Sequence, residues 1–263
     1  EGAGTCSDEL TVGSKVLAEQ YGKLSILHKS TSIEEVEIEL KAFGHRPTEH
    51  LYHIGALGPN VLLNHATAID ETEVGMIAET GTRICQNPSA ALKLGKGTTQ
   101  TGKFAELSAA GVPISLGTDS NNSSNFNDMF REVYLAAVLP KDSRMDPSVV
   151  TAEKALLMGT REGAEALLMG EEIGSLEAGK KADVILLDME RIEFALGGDI
   201  IDTLVYSVTG DAVETVIVDG AVLMEKRELK TIDEEEAFRK IQENAVKGMD
   251  RMNVQPASRW PIL

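Results

Sequence analysis

Four short strand-like runs, three of them apolar, are separated by helix-forming stretches and constrain the fold of this chain more than any other feature of its sequence. They occupy residues 24–27, 61–65, 82–87 and 112–116. The runs lie too far apart for hairpins and are too apolar to face water on one side. We therefore expect a parallel sheet or barrel covered by helices, with strand and helix alternating. Four strands of this kind make about half of an eight-stranded barrel.

Polar residues follow three of these runs at the point where each predicted strand ends. They are His28, His65 and Asp119. Because the carboxyl ends of parallel strands open onto the binding crevice or barrel mouth, these side chains are expected at one end of the sheet. Imidazole and carboxylate are ligands for Zn²⁺ and similar ions. The joint placement predicts a metal site, whereas each residue alone is also typical of a core histidine or a turn-forming aspartate.

The excess of acidic residues limits the kinds of molecule that the chain is expected to bind. The chain of 263 residues has 25 basic and 42 acidic residues, a formal charge of −17, which repels phosphate backbones and anionic lipid surfaces. We expect neither nucleic acid nor membrane as a partner. Cys6 and Cys85 lie far apart and outside any CxxC motif, which favours a reduced, cytoplasmic protein. No apolar run approaches the roughly 18 residues of a membrane span, and no export leader is visible.

The character of the sequence changes after the predicted barrel strands. Gly-rich turns surround the run ADVILL, and the pair Asp219-Gly220 between two apolar stretches predicts a hairpin with a two-residue type I′ turn. We therefore divide the chain into a half-barrel (1–168), strands of a small β domain (169–232), and a C-terminal helix and tail (233–263). The tail is expected to pack back on the barrel, with Trp260 as a docking residue.

Two further groups of charged or metal-binding side chains have an ordinary structural interpretation. His50 and His53 are spaced i, i+3 on a predicted short helix beside Glu49 and could pair on a metal ion, although a solvated helix face is the usual meaning. Lys93 and Lys96 could contact an anion, but we interpret them as solvated loop lysines.

The chain resembles the amidohydrolase superfamily, in the branch of adenosine-type and S-adenosylhomocysteine deaminases, guanine deaminase and the s-triazine hydrolases. The resemblance covers nearly the whole chain in family order. The matching pieces are CSDEL, LAEQYGKLSILH, GALGPNVLLNHATAIDETEVGMIAETGT, NPSAALKLG, AAGVPISLGTDSNNSSNFNDMF, TAEKALLMGTREGAEAL, IGSLEAGKKADVILLD and VETVIVDGAVL. It implies an α/β fold: the C-terminal half of a (β/α)8 TIM-type barrel plus part of a small β-sandwich domain.

The same resemblance implies roles for the three residues that end the strands. His28 falls on the fifth-strand metal ligand, and His65 on the sixth-strand histidine that orients water and substrate. Asp119 falls on the eighth-strand aspartate, a metal ligand that also accepts a proton from the activated water. The implied cofactor is one divalent metal ion, zinc in the first place, with iron, nickel or cobalt as alternatives.

The sequence departs from the family pattern in two ways. It contains no His-x-His motif, which supplies two more metal ligands on the family's first strand. We therefore expect a complementing segment or chain that carries the N-terminal barrel strands. In addition, Thr31 replaces the glutamate that the branch places three residues after the fifth-strand histidine, and Ala91 replaces the asparagine of its SNLKL motif. A hydroxyl can orient a substrate but is a poor acid near neutral pH.

These observations predict a metal-dependent hydrolase that cleaves a C–N bond of a small heterocyclic or aryl molecule. The reaction is either deamination or hydrolysis of an amide, urea or carbamate. We expect His65 and Asp119 to be catalytic, His28 and Asp119 to bind the metal, and Thr31, Ser120 and Asn125 to contact substrate. The assembled unit is expected to form a homo-oligomer. The alternative is a non-catalytic half-barrel, subunit or remnant, that scaffolds a homologous partner.

Overall fold

A computed structural model describes residues 6–195 and 197–253 of the chain. The described residues divide into two compact units, one within residues 6–182 and 188–212, the other within residues 183–187 and 213–253. The expected docking of Trp260 and the tail lies outside the described residues. None of the helices in the described ranges is long and apolar enough to cross a membrane.

The first unit is built on a parallel sheet. Its strands are β1 (Ser25–Lys29), β2 (Val61–His65), β3 (Arg83–Gln86) and β4 (Ile114–Leu116), and they lie side by side in chain order. All three pairings are parallel, and His28 of β1 stands in register with Asn64 of β2. The predicted strands and their parallel arrangement are confirmed. Their carboxyl ends therefore meet at one edge, where His28, His65 and Asp119 are found.

Helices follow the strands in the first unit. They are α1 (Asp8–Gln20), α2 (Ile33–Phe43), α3 (Pro47–His53), α4 (Glu71–Thr80), α5 (Pro88–Lys93), α6 (Thr98–Thr101), α7 (Phe104–Ala109), α8 (Asn121–Ser124), α9 (Met129–Arg144), α10 (Ala152–Met158), α11 (Arg161–Ala166) and α12 (Ile200–Tyr206), with 3₁₀ turns at Ile192–Phe194 and Gly210–Ala212. Their starts have local causes: the side chains of Ser7, Asp70 and Thr151 each accept a hydrogen bond from a backbone N–H in the first helical turn. Gly44 and Gly81 end α2 and α4 in the left-handed conformation that glycine adopts without strain.

The main core lies between the sheet and the helices. Leu63, Ile84 and Ile114 come from three adjacent strands and pack with Ile77 of α4 and Leu107 of α7; all five are fully buried. Each such side chain contributes about 2 kcal/mol of burial free energy. This layer fixes one face of the sheet, so alternate strand residues face the other side.

The opposite face of β1 is exposed. Ile26 is 51% exposed, and His28, two residues further, lies on the same side of the strand because side chains alternate. Within the described residues, β1 and β4 each pair with one neighbour, so the sheet has two open edges. An exposed isoleucine beside an open edge is typical of a surface that another segment covers.

The two units do not follow the predicted domain boundaries residue by residue. Residues 169–182 and 188–212 group with the parallel sheet rather than with the small β domain. One reason is α12, whose Val205 is fully buried in a cluster with Val133 and Ala137 of α9. The expected packing of residues 233–263 on the barrel stays a prediction.

The second unit contains an antiparallel sheet and one long helix. The strands are β5 (Val184–Leu187), β6 (Val213–Val218), β7 (Ala221–Glu225) and β8 (Glu228–Leu229), in chain order, and the helix is α13 (Glu234–Met252). Between β6 and β7, Asp219 and Gly220 have φ angles of 50° and 79°, and Val218 pairs with Ala221. Positive φ at both central residues defines the type I′ turn, so this prediction is confirmed.

Candidate active site

His65 lies at the centre of the three residues predicted at the strand ends. Its Nε2 atom is 3.2 Å from Nδ1 of His28 and 3.9 Å from Oδ2 of Asp119. The two imidazole rings meet edge to face, with centroids 5.1 Å apart. The structure thus brings the predicted residues together at the carboxyl end of the sheet, with His65 buried, Asp119 partly buried and His28 exposed.

The environment of His65 favours the neutral imidazole. Burial lowers the pKa of His65 to about 4, helped by the positive charge of Lys96 and opposed by the Asp119 carboxylate. The side-chain amide of Asn87 lies 3.4 Å from Nδ1 of His65. With that amide as donor, the ring proton sits on Nε2, the atom that faces His28 and Asp119.

We expect the His65 ring of the metal-free protein to stay neutral at pH 5 and to take up a proton only near pH 4. An unfolded chain binds this proton near pH 6.5. Between these two pH values the unfolded chain binds the proton and the folded protein does not. The free energy of unfolding therefore falls by about 3 kcal/mol as the pH drops from 6.5 to 4, and His65 lowers it no further below pH 4. NMR titration of the ring protons measures the pKa directly, and a value of 6.5 or higher would contradict this description of the site.

The backbone adopts a rare conformation at these strand ends. Ser30 after β1, His65 and Ala66 at the end of β2, and Asp119 after β4 all have positive φ, between 46° and 78°. Serine, histidine and alanine seldom adopt this left-handed region, and each instance costs about 1–3 kcal/mol. Strain of this kind at the ends of three strands of one sheet is typical of a functional site.

Gly117 leaves room for the amide that orients His65. A Cβ atom at this position would lie 2.7 Å from Oδ1 of Asn87 and 3.2 Å from Sγ of Cys85. Any side chain at residue 117 therefore displaces Asn87 from Nδ1 of His65. The glycine that ends the fourth run is thus required by close packing behind the site.

We expect Gly117→Ala to lower kcat about tenfold or more, because small displacements of a positioned group are costly. Overpacking should also cost ~2 kcal/mol of stability. Gly75→Ala is the matched control, since Gly75 lies within α4 with open space around its Cα. Steady-state kinetics and thermal unfolding of both variants check this, and equal behaviour of the two would show that the contact with Asn87 has no consequence.

A buried carboxylate anchors the segment that carries Asn87. Glu132 of α9 accepts hydrogen bonds from the backbone N–H of Ser89, at 3.1 Å, and from its hydroxyl. Burial raises the pKa of Glu132, an effect that the hydrogen bonds from Ser89 oppose. This pair ties the start of α5 to α9 directly after Asn87. Sequence patterns carry no signal for this contact, which joins residues 43 positions apart.

The predicted substrate-binding residues lie in the loops that follow β1 and β4. The backbone N–H of Thr31 is held at 2.6 Å by the carboxylate of Glu35. Ser120 caps the short helix α8 and its hydroxyl contacts Asn122 and Ser123, while the amide of Asn125 contacts Lys93 and Asn121. The hydroxyl of Thr31 has no hydrogen-bond partner among the described residues. The substrate contacts of all three stay predictions.

Lys96 was interpreted from the sequence as a solvated loop lysine, but its environment in the structure is different. The side chain is half-buried, and burial lowers its pKa, an effect that the nearby carboxylates of Asp119 and Glu35 oppose. Its charge also acts on His65. The fold thus brings one cation to the site from the loop after α5. Only the three-dimensional path of that loop makes this visible.

The chemistry of the three residues fits a divalent metal ion in part. His28 offers an exposed imidazole and Asp119 a carboxylate, both beside the uncharged ring of His65. A catalytic zinc site takes about three protein ligands and leaves a position for water. His28 and Asp119 offer two donors of the chemistry that such a site uses, which is fewer than the three protein ligands that it needs.

The chain is similar to several known proteins. Residues 1–223 match the model of the amidohydrolase family. The chain is 37% identical over 219 residues to a 5-methylthioadenosine/S-adenosylhomocysteine deaminase of Acetivibrio thermocellus, covering 83% of this chain and 50% of the relative. It is 35% identical over 237 residues to a 5'-deoxyadenosine deaminase of Methanobrevibacter smithii, covering 90% and 54%.

A solved structure extends the likeness to three dimensions. The crystal structure of an adenosine deaminase from Xanthomonas campestris with bound zinc superposes with a TM-score of 0.87 at 29% identity, covering 96% of this chain and 56% of that one. The chain thus spans about half the length of the relatives and the structure that it matches.

Proposed function

The chain belongs to the amidohydrolase family, in the branch with deaminases and triazine hydrolases, and on this basis we propose that it forms half of a metal-dependent hydrolase. The proposed reaction is cleavage of a C–N bond in a small heterocyclic or aryl molecule by an activated water. A TIM-barrel-type α/β fold holds the site. The support that carries most weight is the meeting of His28, His65 and Asp119 at the ends of parallel strands.

Each of the three residues has a distinct task in this proposal. His28 and Asp119 would hold one divalent metal ion, zinc in the first place. When bound, the ion supplies Lewis acidity that makes a water molecule acidic near neutral pH. Asp119 would accept a proton on Oδ2, the oxygen that faces Nε2 of His65. Because the His65 pKa is about 4, its ring stays neutral and donates from Nε2 without competing for this proton.

The barrel has to be completed for this chemistry. We propose that a further segment, in the same or another polypeptide, carries the N-terminal strands and the His-x-His pair. It would pair with the open edges of β1 and β4 and cover Ile26, which is 51% exposed. The antiparallel sheet β5–β8 would likewise be part of a small sandwich, since Ile185 and Leu186 are each about half exposed. We expect the assembled unit to form a homo-oligomer.

The substrate follows from the residues around the metal position. The curated relatives are named as deaminases of adenosine derivatives, so a purine nucleoside is the first candidate. Thr31 carries a hydroxyl that can orient a ring but cannot protonate it near neutral pH. This favours substrates whose leaving amine needs little help at a ring nitrogen, including amides, ureas and carbamates. Ser120 and Asn125 would line the same loop.

The test uses the assembled protein, meaning this chain together with the segment that completes its barrel. Its product release is measured with a panel of adenosine derivatives, triazines and aryl ureas, before and after removal of metal by a chelator. We expect ammonia or amine release from at least one class, lost on chelation and restored by Zn²⁺. Turnover that is indifferent to chelation, or a partner that holds a complete site of its own, would instead favour the scaffold function.

A further inference from the structure

We propose a second metal-binding site on the surface, formed by His45, Glu49 and His53. These side chains offer two imidazoles and one carboxylate, and one ligand atom from each lies within 4.8 Å of the other two. The site shares no residue with the candidate active site. It would take a borderline divalent ion such as Zn²⁺, Cu²⁺ or Ni²⁺.

The distances match those around a small tetrahedral ion. Nδ1 of His45 lies 3.3 Å from Oε1 of Glu49, and Nε2 of His53 lies 3.6 Å from the same oxygen. Two ligand atoms bound to zinc at 2.0–2.1 Å in a tetrahedron are about 3.3 Å apart. The two rings are tilted against each other with centroids 4.4 Å apart. The third pair, one ring nitrogen from each histidine, lies within 4.8 Å, and metal binding would shorten this distance.

Local structure explains why the three residues meet. Glu49 and His53 are spaced i, i+4 on α3 and therefore lie on one face of the helix. His45 precedes the residue that caps this helix, Arg46. The turn at the helix start folds His45 back over the first helical turn.

The carboxylate is held in the orientation that binding requires. Oε2 of Glu49 accepts the backbone N–H of Arg46 at 3.1 Å, which leaves Oε1 pointing at the two rings. A fixed second oxygen is typical of carboxylates that ligate metals.

The partner of His53 is not the one that the sequence suggested. The ring of His50 points elsewhere: its Nε2 lies 2.9 Å from Oδ1 of Asp8, and it stacks on Phe43. His45 takes its place. The side chains of the cluster are 30–48% exposed, so an ion reaches them from solvent without any opening of the fold.

Calorimetric titration of the assembled protein with Zn²⁺ tests the proposal. A His28→Ala background weakens binding at the active-site position, and the part of the remaining binding that is lost in the cluster variants belongs to the cluster. We expect one bound Zn²⁺ per chain, weakened at least about tenfold by His45→Ala, His53→Ala or Glu49→Gln, because losing even an outer-shell partner costs 10–100-fold. Glu37→Gln is the control, since Glu37 is exposed on α2 and removes the same charge away from the cluster.

A second readout separates the cluster from nonspecific binding. Cu²⁺ at less than one equivalent should broaden the NMR signals of the His45 and His53 rings before those of His50. Zn²⁺ affinity that is unchanged in a His45→Ala/His53→Ala double variant, or broadening that does not select these rings, would overturn the proposal. Neither experiment measures enzymatic activity, so the proposed metal site on the surface can fail while the proposed function holds, and the reverse.

Discussion

We expect replacement of Asp119 by asparagine to lower kcat of the assembled protein by about a thousandfold, the midrange of what a general base contributes. The amide keeps the shape of the side chain but cannot accept the proton of the activated water. The hydrogen bond from the N–H of Ser120 to Oδ1 of residue 119 can persist, so the loop after β4 should keep its conformation. Steady-state kinetics with the best substrate of the panel measure the effect.

Asp142→Asn is the matched control for this variant. Asp142 lies exposed on α9, and its replacement removes the same charge outside the site. We expect unchanged kcat for Asp142→Asn and similar thermal unfolding of both variants. If Asp119→Asn retains turnover within a few fold of the parent, Asp119 is not the proton acceptor.

We expect replacement of His28 by alanine to weaken metal binding at the proposed active site. His28 is exposed, and its ring is one of the two ligands that we propose for the described chain, so its loss should lower the affinity for metal at least about a hundredfold. Activity at limiting Zn²⁺ falls in parallel and recovers in part at high Zn²⁺. The experiment uses a His53→Ala background so that the surface cluster does not add to the metal count.

Metal content by elemental analysis after dialysis gives the result. We expect about one zinc per assembled unit in the His53→Ala parent and much less than one when His28→Ala is added. Equal zinc in both proteins would mean that His28 is not a ligand, and the metal position would then have to be sought among other residues.

The parts of the fold that the sequence predicted are those with local causes. Apolar runs ending in His65 or preceding Asp119 mark buried strands by composition alone, and Asp219-Gly220 defines its turn through the φ angles that the two residues accept. The strands were predicted to be parallel, and the carboxyl ends of parallel strands lie at the same edge of a sheet, so the strand ends were expected together. The convergence of the candidate site thus required no knowledge of side-chain packing.

Most of the contacts that sequence reasoning missed join residues far apart in the chain. The amide of Asn87 orients His65 across 22 positions, and Gly117 is needed only because Asn87 stands behind it. The sequence marks Lys96 only as a loop lysine, and the structure shows that its charge acts on His65 and Asp119. His53 meets His45 rather than His50, because the chain turns at the start of α3. The spacing of residues in the sequence does not predict such contacts, because they depend on the three-dimensional positions of separate segments.

The most direct measurement is a crystal structure of the assembled protein with anomalous diffraction data at the zinc edge. We predict a peak between the ring of His28 and the carboxylate of Asp119, with the remaining ligands supplied by a His-x-His pair on strands that close the barrel beside β1 and β4. A barrel closed without any metal at this position, or a metal held entirely by the complementing segment, would contradict the assignment of this chain to the catalytic site.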